Sequence, residues 1–165
     1  MFGITPFGMF HTLIALVAVA AGIAALVKYR EIGLATRSGR IYVVLTIATC
    51  VTGLFIFRHG SFGKPHALAI ITLVVLALAI AAERSTLFGR LSRYVAVIGY
   101  SLTLFFHVIP GFTETATRIP EGAPLVAGPE APELLRAIGA AFVVFLAGAA
   151  LQVRRLRRQA RTQAN

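Results

Sequence analysis

Five long apolar runs, at about residues 8–27, 41–57, 66–82, 94–109 and 134–153, constrain this chain more than any other feature. Each is close to the ~20 residues a helix needs to cross a hydrocarbon core about 30 Å thick. The runs are apolar on both parities, whereas strands of a membrane barrel alternate in segments of about ten residues. The fold expected is therefore all-α, a polytopic membrane helix bundle of five transmembrane helices in one domain. Composition agrees, with 58% hydrophobic and 13% charged residues. A soluble domain usually has roughly 45–50% and about 25%.

Charge is lopsided, with sixteen Lys and Arg against six acidic residues. Its position argues for topology signals and against nucleic acid. Loop one carries Lys28, Arg30, Arg37 and Arg40, loop three carries Arg84, Arg90 and Arg93, and the tail 154–165 carries Arg154, Arg155, Arg157, Arg158 and Arg161. The other side has Arg58, Lys64, Arg118 and Arg136, matched by Glu114, Glu121, Glu130 and Glu133. Basic residues near helix ends stay in the cytoplasm, so the N-terminus is expected outside and the C-terminus inside, in a bacterial cytoplasmic (inner) membrane. The basic tail is expected to anchor that topology and touch anionic head groups.

The segment Met1–Phe10 has no basic residue, so the first run is expected to be a retained helix and not a secretory signal. The outer loop 111–132 contains Pro120, Pro124, Pro129 and Pro132, which discourage helix. Small residues Ala15, Ala18, Gly22 and Ala25 in the first run, and Gly139 to Gly148 in the fifth, suit close helix approach. Cys50 has no partner in the chain, and it is read as packing.

The candidate site comes from the four histidines. His11, His59, His66 and His107 all fall toward the outer ends of their helices. Depth counts from Pro6, Pro65 and Pro110 put them in one shallow layer. His107 lies in a stripe with Gly99 and Thr103, to which Tyr100 adds a further polar group. His11 continues the small-residue face of the first helix, and Thr52, Phe55 and His59 share a face of the second. Imidazoles from facing helices can hold a transition metal or both axial positions of haem b. His11, His66 and His107, with His59, are therefore the expected cofactor ligands, near which Tyr100, Thr103 and Glu114 would orient a ring or relay a proton. No HExxH, CxxCH or thiol pair is present, so no zincin or c-type haem site is expected.

Ser38-Gly39-Arg40-Ile41-Tyr42, with His11 before it and His66 after it, resembles small uncharacterised bacterial membrane proteins of the domain-of-unknown-function family numbered 2306. Their typical stretch is His-x-x-x-Gly-Arg-x-Tyr; here residues 34–38 hold no histidine. The resemblance implies a membrane protein and brings no established activity. Two functions follow from the residues. One is a redox protein in which the histidines hold haem b or a metal and pass electrons or bind a quinone. The other is an accessory subunit packed on a membrane protein partner or on a second copy of itself. A small transporter ranks third.

Overall fold

The computed structural model describes residues 5–57, 62–120 and 122–164, with side chains to 162. It is a bundle of five α-helices with no strand among the described residues: α1 Pro6–Tyr29, α2 Arg37–Leu54, α3 Lys64–Arg84, α4 Ser92–Arg118 and α5 Pro132–Ala164. One 3-10 turn, Gly89–Leu91, leads into α4.

Local chemistry sets the helix ends. Thr5 caps α1 by accepting from the Gly8 amide, and Pro6 fills the first helical position, where a missing amide costs nothing. Thr36 caps α2 in the same way through Gly39. Arg30 closes α1 with φ 65, and its amide returns to the Leu26 carbonyl. The loop between α1 and α2 then folds tightly over the first turn of α2. A Cβ on Gly39 would lie 2.0 Å from the Gly33 carbonyl oxygen. Only glycine allows that approach.

By length and composition four helices can cross a membrane: α1, α3, α4 with its leading turn, and α5. Helix α2 is the shortest of the five, beginning with Arg37 and Arg40 and burying Thr46 and Thr49. It packs closely against α1 and also against α3. Helix α3 packs on α4, and α4 touches α1, which closes a four-helix core. Helix α5 lies outside this core against α4. Phe105 of α4 meets Phe142 and Phe145 of α5, with ring centres 5.3 and 5.8 Å apart.

The core is built from small residues on α1, α3 and α4, with Tyr42 and Tyr100 filling the space between them. Ala18, Ala25, Ala79, Ala82 and Ala96 are all buried around those two rings. The small-residue face expected on α1 is thus the packed face. Gly22 is part of it, since a Cβ there would come within 2.9 Å of the Tyr42 ring. In lipid, helices associate through such close packing and not by expelling water.

Two expectations change. Helix α4 does not stop before Pro110 but runs to Arg118. Membrane helices accommodate an internal proline, and beyond it the helix goes on with the Thr113 hydroxyl donating to the Ile109 carbonyl at 2.8 Å. The first part of the expected outer loop is therefore helix. In α5, Gly139 and Gly148 would have nothing within 4 Å of an added Cβ, so these glycines do not carry a helix contact within the chain.

Candidate polar seam through the bundle

The four-helix core contains a line of polar side chains. At the end where α1 and α3 finish, the Glu83 carboxylate accepts from the Leu34 amide at 2.8 and 3.1 Å, and from the Tyr100 hydroxyl at 2.6 Å. Tyr100 is fully buried. Its ring leans toward the start of α4, as long side chains on a helix do. Its carbonyl, at the other end of the residue, accepts from the Thr103 hydroxyl at 2.9 Å. Thr103 is in turn hydrogen-bonded to the Tyr42 hydroxyl at 2.7 Å.

The seam continues on α2 and α4. Thr46, also fully buried, shares a hydrogen bond of 3.1 Å with Nε2 of His107. The Tyr42 ring stands edge-on to the same imidazole, with centres 6.2 Å apart. Toward the opposite end, Nδ1 of His11 is 2.9 Å from Thr52 Oγ1. Glu114 pairs with Arg118 one turn further along α4.

Depth follows from these pairings. Thr46 lies near the middle of α2, and Thr52 lies two residues from its end. Their separation of six residues corresponds to about 9 Å along the helix. His11 therefore lies level with the end of α2, while His107 lies level with its middle. The single shallow layer fails for a local reason: Pro110 does not end α4, so counting back from it misplaces His107.

His66 stands apart. It is buried at the start of α3 between Phe57 and Phe62, with ring centres 4.8 and 5.2 Å away. Its Nδ1 accepts from the Gly63 amide at 3.2 Å, and its Nε2 has no hydrogen-bond partner among the described residues. His59 lies outside the described residues. Phe55, expected to share an inward face with it, is 70% exposed in the turn after α2.

Among the described residues no group of three or more His, Cys, Asp or Glu is placed to hold a metal ion. The expected set of His11, His66 and His107 is thus not assembled. What unites His11 and His107 is α2, whose threonines serve each ring separately. Tyr100 and Thr103 belong to the seam, but Tyr100 turns its hydroxyl to Glu83, away from the histidines. Glu114 lies on helix α4 and not in a loop.

Sequence reasoning missed Glu83 and Thr46, named Thr52 only as sharing a face with His59, and named Tyr42 only within a family stretch. The threonines could have been found from their spacing, since Thr46, Thr49 and Thr52 recur every three residues within an apolar run. Glu83 was hidden among the charges at a helix end. Comparison with protein-family models, with characterised proteins and with solved structures finds no match.

Proposed function

We propose that this chain is a small multi-pass protein of the bacterial cytoplasmic membrane, N-terminus outside, that moves protons through its interior along the seam from Glu83 to His11. The observation that carries this reading is His107 inside the bundle, level with the middle of α2 and held by buried Thr46 beside the Tyr42–Thr103 pair. Ionisable groups in the hydrocarbon region are costly, turn inward, and mark proton and ion paths. Histidine changes charge near neutral pH in an ordinary setting. A hydroxyl can donate and accept at once, so threonine and tyrosine are suited to passing a proton between titratable groups.

In this reading Glu83 exchanges protons at the basic end and His11 at the other, with His107 as the station between them. Two steps need a water molecule or a side-chain swing. One spans the Tyr100 ring, whose hydroxyl and carbonyl contact different partners. The other lies between His107 and His11. Among the described residues no set of three or more metal ligands is assembled, and the haem b, transition-metal and quinone roles are not carried forward. The short stretch Gly39-Arg40-Ile41-Tyr42 still places the chain, as a proposal, beside the domain-of-unknown-function family named above.

The test is proton flux into proteoliposomes holding a pH-sensitive dye, driven by a potassium diffusion potential. The wild-type chain should acidify the lumen faster than protein-free vesicles. Thr46→Val and His107→Phe should fall to the protein-free leak, and Ser101→Ala, outside the seam, should not. Wild-type vesicles that leak no faster than empty ones would end this reading.

The accessory-subunit reading would then lead, and one observation favours it. Helix α5 leaves Val143 and Val144 exposed beside the open Cβ positions of Gly139 and Gly148. A membrane partner or a second copy could approach closely there.

A further inference from the structure

At the basic end of the bundle the tail of α5 passes the start of α4 and leaves a cleft of about 740 Å³. Arg90, Arg93 and Arg158 line it, together with Tyr94 and the buried Leu156. We propose that this cleft binds the phosphate of an anionic phospholipid.

Three guanidinium groups around one space repel one another unless an anion lies among them. One carboxylate near this end, Glu31, pairs with Arg93 of the cleft, and neither it nor Glu83 is paired with Arg90 or Arg158. Glu31 is bonded to Arg93 at 2.6 Å and lies 4.0 Å from Arg155, which also donates to the Tyr29 carbonyl at 2.8 Å. Glu83 is held by Leu34 and Tyr100. Among the described residues no carboxylate lines the cleft. Arg90 and Arg158 have no ion pair among the described residues. Guanidinium presents a planar fork of donors that matches two phosphate oxygens at once.

The surroundings select a lipid over a soluble phosphate. Arg90 stands between Leu87 and Leu91, which are 67% and 63% exposed. Exposed leucines on either side of an arginine suit the boundary between head groups and acyl chains, where the leucines enter lipid and the arginine stays with phosphate. Tyr94 lies at the same level, and tyrosine is enriched at that boundary. Helix α5 has 33 residues, or about 50 Å, and so outlasts the ~30 Å hydrocarbon core. Its Gln152 and Arg155 already meet the end of α1, so Arg158 lies beyond that level, among head groups. Basic pockets at the cytoplasmic ends of membrane helices recognise acidic lipids on this principle.

The test is retention of phosphatidylglycerol by the full chain in neutral detergent, titrated with phosphatidylcholine as the uncharged control. Phosphatidylglycerol should bind preferentially. Arg90→Gln and Arg158→Gln should each weaken it about fivefold, and the pair about 25-fold, at the usual strength of one basic residue near a charged surface. Arg157→Gln removes a charge of the same tail outside the cleft and should change binding less than about twofold, since diffuse attraction is screened. All three side chains are exposed, so the variants should melt like the wild type. A loss on Arg157→Gln equal to that on Arg158→Gln would mean diffuse attraction and overturn the site. So would equal binding of the two lipids. Displacement of the lipid by an equal concentration of inorganic phosphate would make it a site for a soluble anion.

Discussion

Replacing Glu83 by alanine should destabilise the bundle more than an ordinary helix-end substitution. The carboxylate receives the Leu34 amide and the Tyr100 hydroxyl. Alanine leaves both donors without an acceptor in a partly buried place. A stranded donor costs about 1–3 kcal/mol. Glu83 is only half-buried, so water can reach part of the gap, and a combined loss of about 2–4 kcal/mol is expected. Glu83→Gln keeps one acceptor oxygen but turns an amide donor toward the second partner, and should lose about half as much. Tyr100→Phe removes one donor and leaves the carboxylate with its amide bond, for about 1.5–3 kcal/mol. Glu83→Ala and Tyr100→Phe remove the same contact, so the double variant should be less destabilised than the sum by about 0.5–3 kcal/mol. The chain supplies its own probe. Its one cysteine, Cys50, is buried, and the chain has no tryptophan. Maleimide labelling of Cys50 across a denaturant series therefore reports opening of the core. A loss below about 1 kcal/mol for Glu83→Ala, or strict additivity with Tyr100→Phe, would refute the reasoning.

Two further predictions concern packing and charge. Gly39→Ala should leave Cys50 reactive from the outset, because its Cβ meets a backbone carbonyl at 2.0 Å. That is worse than the side-chain crowding that costs about 1–3 kcal/mol. Gly111→Ala, with nothing within 4 Å, should be neutral or gain up to about 1 kcal/mol from helix entropy. The exposed Lys64–Glu130 pair ties the loop before α5 to the start of α3. The Lys64 hydrogen bond, then its charge, holds the Glu130 carboxyl below its ordinary value of 4.5. The pair is therefore complete above that value and is lost as pH falls through the lowered one. Protease cutting in residues 122–131 should rise on that acid limb in the wild type. In Glu130→Gln it should be flat with pH, and the melting temperature should not move measurably, since so exposed a pair is screened by water.

The histidines show how far a linear reading reaches. His11 on a small-residue face and the inward stripe Gly99, Thr103 and His107 were both legible, because helical spacing alone puts residues three and four apart on one side. The level of His107 was not. Depth depends on where a helix ends, and Pro110 ends a helix in water but not in a packed membrane bundle. Nor did spacing show that His66 turns between Phe57 and Phe62.

The helical class, the apolar runs that become α1, α3, α4 and α5, and the concentration of arginine at one end follow from sequence alone. Lipid offers no partner to a bare peptide group, so a long apolar run has almost no other structure to adopt. The seam is a different kind of property. Tyr42 and Thr103 are sixty-one residues apart, as are Thr46 and His107. No local pattern states that they meet. That was decided by which faces of four helices fit together once Gly22 admitted the Tyr42 ring and Gly39 let the first loop close over α2. Close packing selects one rotation of each helix about its axis, and that rotation chooses the partner of every polar group inside.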